Sequence, residues 1–295
     1  MPSSSATFEA SRTDVLSRLE DIVRDDPRLL GLWLQGSLAD GMADPLSDID
    51  AYLAVEDAAF DAVYAARLEI VAGLGDIFAW MDATTPALKA VHCLLNGPVK
   101  LDLFFEPVST IADRARPAVR LLLDKAGISS RLRTDWEAPA EAVARSIETI
   151  VRGTRQGAAW PVRLMHRGQW STMAMMTLDL INAQIAQLMV VQVDPGNYYK
   201  NQFTLYRHLR PDQQLEIDTL TRDALAALDA RDLPALRDVY LRVFDTMVRE
   251  SRAACASLGV AYPQEEAGDA AIRAFLASEW PEEAVGTALP AGHDQ

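Results

Sequence analysis

Apolar positions in the first third of the chain come in short runs. Leu29 to Gln35 is one such run, stopping at Gly36, which is the pattern of a buried strand. Asp48 to Val55 reads as a second strand and Ile77 to Met81 as a third. Lys89 to Leu95 and Val99 to Phe105 flank Asn96-Gly97-Pro98, and Asn-Gly between two β-rich runs predicts a hairpin. Ahead of these strands, Ser11-Arg12-Thr13-Asp14 carries a helix-start signal. Val15, Leu19, Ile22 and Val23 then recur at helical spacing until Asp26-Pro27 ends the helix. Leu38 to Met42 reads as a short helix or turn and Asp57 to Ala72 as a helix. Residues 1–8 read as disordered.

After Pro107 the period changes, and no strand is predicted beyond it. Residues from about 110 to 126, Ala138 to Arg155, Val162 to Val193, Tyr199 to Leu209, Asp212 to Leu228 and Leu233 to Leu258 read as helices. The fold class is therefore α+β, a small mixed sheet followed by an all-α bundle. The division runs 1–108 for the sheet domain and 109–262 for the bundle. Residues 263–295 read as an acidic tail with a short helix, carrying Glu265, Glu266, Glu282 and Glu283. The apolar stretch Met173 to Val193 is interrupted by Asp179, Asn182, Gln184 and Gln187, so it predicts a buried bundle helix and no membrane span.

Charge changes this picture. The formal net charge is −14 over 295 residues. That disfavours nucleic acid as a partner and suits a small cationic one, although solubility alone also accounts for it. Cys93 and Cys255 have no metal-ligand spacing and read as packing residues of a protein kept reduced. The first residues show no basic flank or apolar segment of a signal peptide, which predicts a cytoplasmic protein.

The candidate chemistry lies in the strands. Residues two apart on a strand share a face, so Asp48 and Asp50 project together, and Mg²⁺ relieves the repulsion between paired carboxylates. Lys100, Asp102 and Phe104 share one face of the Val99 strand. Pairing of the hairpin beside the Asp48 strand completes a three-carboxylate cluster able to hold two metal ions. Gly36-Ser37, where a strand meets a short helix, lets backbone and hydroxyl approach a phosphate. The plainer alternatives are that the aspartates cap a loop at a glycine turn, and that Asp102 only pairs with Lys100.

Gly36-Ser37-Leu38-Ala39-Asp40-Gly41 followed by Ser47-Asp48-Ile49-Asp50 resembles the signature of the DNA polymerase β-like nucleotidyltransferase superfamily. Val99-Lys100-Leu101-Asp102-Leu103 resembles the strand that carries its third carboxylate. The resemblance covers residues 29–106. It implies that Gly36 and Ser37 contact the β- and γ-phosphates and that Asp48, Asp50 and Asp102 bind metal. It further implies that Asp102 accepts the proton of an acceptor hydroxyl. The donor would be an NTP, with ATP expected, carried with two Mg²⁺ ions, and the leaving group pyrophosphate.

A small α+β domain ahead of a helical bundle is similar to the layout of the antibiotic nucleotidyltransferases, which modify hydroxyls of aminoglycosides or lincosamides. That resemblance implies a small, cationic, hydroxylated acceptor. The alternative is a regulatory protein that modifies another protein or binds nucleotide without turnover. In the bundle, Asn197-Tyr198-Tyr199-Lys200-Asn201 offers Lys200 as a phosphate contact, against a solvated lysine at a helix start. Arg163, His166, Arg167 and Trp170 share a helical face by spacing, which reads as a salt-bridged bundle surface or a ligand contact. His92 reads as a packed residue of the hairpin, and Glu106 is a further candidate base.

Overall fold

The apolar runs cannot stay in water, and their backbone groups need partners once buried, so they pair into one sheet. The computed structural model describes residues 4–84, 88–97, 99–198, 200, 202–263 and 266–283. Two compact units meet in sequence between Glu137 and Ala138.

The first unit opens with α1 (Ser4–Asp25), then β1 (Leu29–Gln35), α2 (Ser37–Asp40) and β2 (Ile49–Val55). It continues through α3 (Phe60–Ala65), α4 (Arg67–Ala72), β3 (Ile77–Asp82), β4 (Lys89–Leu95), β5 (Val99–Pro107) and β6 (Arg120–Asp124). The six strands run in the order β3-β4-β5-β2-β1-β6. β2 and β5 pair in parallel, and the other neighbours are antiparallel. The sheet is therefore mixed, as the sequence pattern implies. On one face Leu32, Leu34, Leu53, Leu101 and Leu103 pack with Val15, Leu19 and Val23 of α1. On the other face Trp33, Tyr52 and Phe104 stack in a row, with ring centroids 5.4 Å and 4.3 Å apart. Ile111 and Ile128, from the segment after β5, cover that row.

Three local expectations change. Residues 4–8 are helical, not disordered, because α1 begins at Ser4. The expected helix over 57–72 is broken at Ala66 into α3 and α4. The expected helix over 110–126 is a six-residue 3-10 stretch at Val108–Asp113 followed by strand β6. Pro117 cannot continue a helix, and Arg120–Asp124 satisfies the open backbone edge of β1, pairing Leu32 with Leu123. The sheet thus extends past residue 108. Leucine-rich local propensity loses to a waiting strand edge.

Among its described residues the second unit has helices joined by turns and no strand. It contains α5 (Ala140–Gln156), α6 (Ala159–His166), α7 (Trp170–Asp179), α8 (Ala186–Val193), α9 (Gln202–Leu205), α10 (Pro211–Asp229), α11 (Leu233–Leu258) and α12 (Glu266–Ser278). One core joins Val143, Met173, Ile181, Met189, Leu236 and Met247 among others. The expected single helix over 162–193 is interrupted at Gly168, whose φ is +63°, and again by a π-turn at Leu180–Ile185. Trp170–Val193 is long and apolar enough to cross a membrane, yet 56% of its apolar window is buried inside the protein. Both cysteines are buried, and burial pushes the Cys93 thiol up to about 11. The short helix expected near the end is α12, and it is anchored, while the part of the expected acidic tail from residue 284 on lies outside the described residues. Asp269 accepts hydrogen bonds from Arg155 Nε at 2.7 Å and Tyr262 Oη at 2.8 Å, and Leu276 and Trp280 enter the core.

In the first unit one buried charge cluster pins the covering segment to the sheet. Glu106 pairs with Arg114 and with Arg116, whose side chain is 1% exposed. Arg116 also donates to the Ile111 carbonyl at 2.9 Å and lies over the Trp33 ring. Glu106 is thus committed to structure, which removes it as a candidate base. Glu106→Gln should lower stability by about 3 kcal/mol, because it strands a buried guanidinium. A urea unfolding midpoint unchanged from wild type would show that the cluster does not hold the segment.

Candidate active site

The site is built by register. Antiparallel β1 and β2 place Gln35 opposite Asp50, and parallel β2 and β5 place Asp50 opposite Asp102. Antiparallel β4 and β5 then place His92 opposite Asp102. Gln35, Asp50, Asp102 and His92 therefore form a polar row on one face, immediately ahead of the Trp33–Tyr52–Phe104 stack. The hairpin that brings Asp102 there turns at Asn96-Gly97, with Gly97 at φ +88°. Pro98 lies outside the described residues.

Gly36 follows Gln35 with φ +61°. A Cβ built at this position would sit 2.2 Å from Asp50 Oδ2. The Asp50 carboxylate thus fills the space a side chain would need, and only glycine fits there. Next in sequence, the Ser37 Oγ is buried without a hydrogen-bond partner among the described residues. The Gln35 Nε2 is in the same condition. Two orphaned polar groups beside a backbone that approaches a carboxylate make a cradle awaiting a polar ligand.

Asp48 lies just before β2, on a loop held from below by Arg12. The Arg12 guanidinium donates to the Asp44 and Ser47 carbonyls at 2.6 and 3.2 Å. The Ser47 hydroxyl closes the same loop, accepting from the Asp44 amide at 2.9 Å. Lys100 then joins the carboxylates. Its Nζ donates to Asp48 Oδ2 at 2.9 Å and to Asp102 Oδ2 at 2.7 Å. Burial works against its charge, but the two carboxylates outweigh it and hold the lysine above its ordinary pKa. His92 Nδ1 stands 2.6 Å from Asp102 Oδ1, in ion-pair range but off the line a hydrogen bond needs.

Gly36, Ser37, Asp48, Asp50 and Asp102 therefore all belong to one end of one sheet. The three carboxylates are not gathered as a ligand set. Among the described residues, no group of three His, Cys, Asp or Glu side chains is disposed to hold a metal ion. Lys100 supplies the cation between Asp48 and Asp102 instead. The donor chemistry of Asp48 and Asp102 still fits a divalent ion, since one oxygen of each already meets at a single cation.

Lys200 belongs to the second unit, where its amide donates to the Asn197 carbonyl at 3.0 Å. Its neighbours Tyr199 and Asn201 lie outside the described residues. Arg163, His166 and Arg167 do not form one helical face with Trp170, because Gly168 separates α6 from α7. Arg163 lies over the Trp160 ring, and the His166 ring contacts the Glu279 carbonyl at 3.2 Å.

No family model matches the chain, and no curated protein matches it. Among solved structures the chain is similar to the crystal structure of an aminoglycoside 6-adenyltransferase from Bacillus subtilis. The identity is 14%, the TM-score 0.36, and the alignment covers 95% of this chain and 99% of that one.

Arg12 and Gln35 are site residues that local patterning does not reveal. Arg12 sits in a plain amphipathic helix and acquires its role only through its loop contacts. Gln35 could be found only from the register opposite Asp50. The Gly36 assignment has a direct control. Gly36→Ala should cost about 1–3 kcal/mol and clearly more than Gly41→Ala. Gly41 also has positive φ, +81°, but has nothing within 4 Å of an added Cβ. Equal losses in unfolding experiments would mean that the Asp50 carboxylate does not occupy the Gly36 Cβ position.

Proposed function

We propose that the chain transfers a nucleoside monophosphate, AMP in the first instance, from a magnesium–NTP to a hydroxyl of a small acceptor, releasing pyrophosphate. One observation carries this reading. Gly36, seated against Asp50, leads into the partnerless Ser37 hydroxyl at the sheet end that also carries Asp48 and Asp102. Anion contacts and carboxylates are thus combined in one small region.

In this reading Gly36 and Ser37 hold the β- and γ-phosphates, and Asp48, Asp50 and Asp102 hold divalent ions, two being expected. The ions supply charge neutralisation on the triphosphate and a lowered pKa for the acceptor hydroxyl. The acceptor oxygen forms a bond to the α-phosphorus, and the bond from that phosphorus to the bridging oxygen breaks. The electron pair leaves with pyrophosphate. The hydroxyl proton passes to the Asp102 carboxylate. Gln35 lies in the same polar row and offers its amide to an equatorial oxygen. The structure thus contributes mainly position and prearranged charge.

The acceptor class rests on charge. A net charge of −14 suits a polycationic aminoglycoside or a lincosamide and disfavours nucleic acid. Lys200 is proposed as a phosphate contact and the cytoplasm as the compartment. A second reading, nucleotide binding without turnover, is favoured by the Lys100 bridge, which already neutralises two of the carboxylates.

Pyrophosphate release separates the two readings. With Mg²⁺ and ATP, a panel of aminoglycosides and lincosamides should contain a substrate. Asp48→Asn should abolish release while leaving the circular dichroism spectrum and melting curve unchanged. Tight nucleotide binding with no turnover on any acceptor would favour the second reading. Full activity in Asp48→Asn would remove the site assignment.

A further inference from the structure

Lys100 is not explained by the transfer reaction, and sequence pattern marks it only as a neighbour of Asp102. Its side chain is 53% exposed, so water could solvate the ammonium without either carboxylate. Yet its ammonium contacts Asp48 and Asp102 together, at 2.9 and 2.7 Å. Asp102 has a side chain only 10% exposed, and a buried carboxylate needs a cation or a set of donors. Asp48 lies just ahead of β2 and Asp102 on β5, so the cation also links the neighbouring strands. Lysine suits a temporary role, because a single flexible stem carries a compact, strongly hydrated charge. The side chain borders an open cleft of about 270 Å³ that also includes Phe8, Arg12, Leu46 and Asp48.

We propose that the Lys100 ammonium is a built-in counter-ion that holds the cation position between Asp48 and Asp102 until a divalent ion displaces it. A bare ion must then break two charge-assisted hydrogen bonds to enter. An ion arriving with a triphosphate brings new acceptors for the displaced ammonium. Metal therefore binds weakly alone and tightly with nucleotide, a coupling that rests on the proposed nucleotidyltransferase reading. The device keeps the carboxylates charge-balanced between turnovers and discourages capture of stray divalent ions.

The test is a Mn²⁺ titration of the full chain, followed by the electron paramagnetic resonance signal of the free ion. Without nucleotide, Lys100→Gln should bind Mn²⁺ at least about tenfold more tightly than wild type, because the ion no longer has to break the two charge-assisted hydrogen bonds of the ammonium. Lys100→Arg should stay close to wild type. Adding Asp102→Asn to Lys100→Gln should erase the gain. A non-hydrolysable ATP analogue should tighten Mn²⁺ binding far more in wild type than in Lys100→Gln. Melting curves confirm that each variant is folded. Unchanged Mn²⁺ affinity in Lys100→Gln, or a gain that survives Asp102→Asn, would overturn the counter-ion assignment whatever the nucleotide does. Equal tightening by the analogue in both proteins would overturn the coupling. A Lys100→Gln gain with no analogue binding in either protein would sink the nucleotide reading and leave the counter-ion standing.

Discussion

Parallel pairing of β2 with β5 sets Asp50 directly beside Asp102, and the rest of the site is organised around that juxtaposition of like charges. Two carboxylates on adjacent strands of one face repel unless something positive or hydrogen-bonding stands by them. The chain meets this in two ways. Gly36 gives up its side chain so that the Asp50 carboxylate has room against the backbone. Lys100 reaches from the same strand as Asp102 to place an ammonium between Asp102 and Asp48. Each is a local concession, a glycine in a conformation that other residues avoid and a half-buried lysine, of the kind that accumulates at functional sites.

Support for this arrangement comes from behind and below. The Trp33–Tyr52–Phe104 stack fixes the three strands one step behind the polar row, so that Gln35, Asp50 and Asp102 share a rigid base. The covering segment is locked over that stack by Glu106 with Arg114 and Arg116. From α1, Arg12 ties down the loop that presents Asp48. A charge cluster far from any chemistry thus holds the carboxylates in place through strand position, and does so without touching them.

Much of this was legible in the sequence, for identifiable reasons. β1, β3, β4 and β5 follow from apolar runs and the Asn96-Gly97 turn, signals that are local and strong. Asp50 and Gly36 were visible because a strand position and a glycine at a strand end have fixed geometric meaning, whereas Asp48, read as the first residue of the strand, lies on the loop just before it. β6 was not legible. Its Leu121-Leu122-Leu123 run carries no strand signature, and only the open edge of β1 decides its conformation. Likewise, α1 reaches back to Ser4 although its first turns carry no cap signal. The break at Gly168 and the π-turn at Leu180–Ile185 interrupt a continuous apolar pattern, so periodicity alone joined them. Lys100 was read only as a same-strand partner of Asp102, because its second contact, with Asp48, depends on a parallel register that no short-range pattern encodes.

The central claim is that this sheet end accepts a divalent ion and a nucleoside triphosphate together. A crystal structure of the chain with Mn²⁺ and a non-hydrolysable ATP analogue tests it most directly, because manganese is located by its anomalous scattering. The account predicts an anomalous peak between Asp48 and Asp102, phosphate oxygens against Gly36 and Ser37, and the Lys100 ammonium withdrawn from both carboxylates. Nucleotide bound elsewhere, with Lys100 still bridging Asp48 and Asp102 and no manganese beside them, would contradict it.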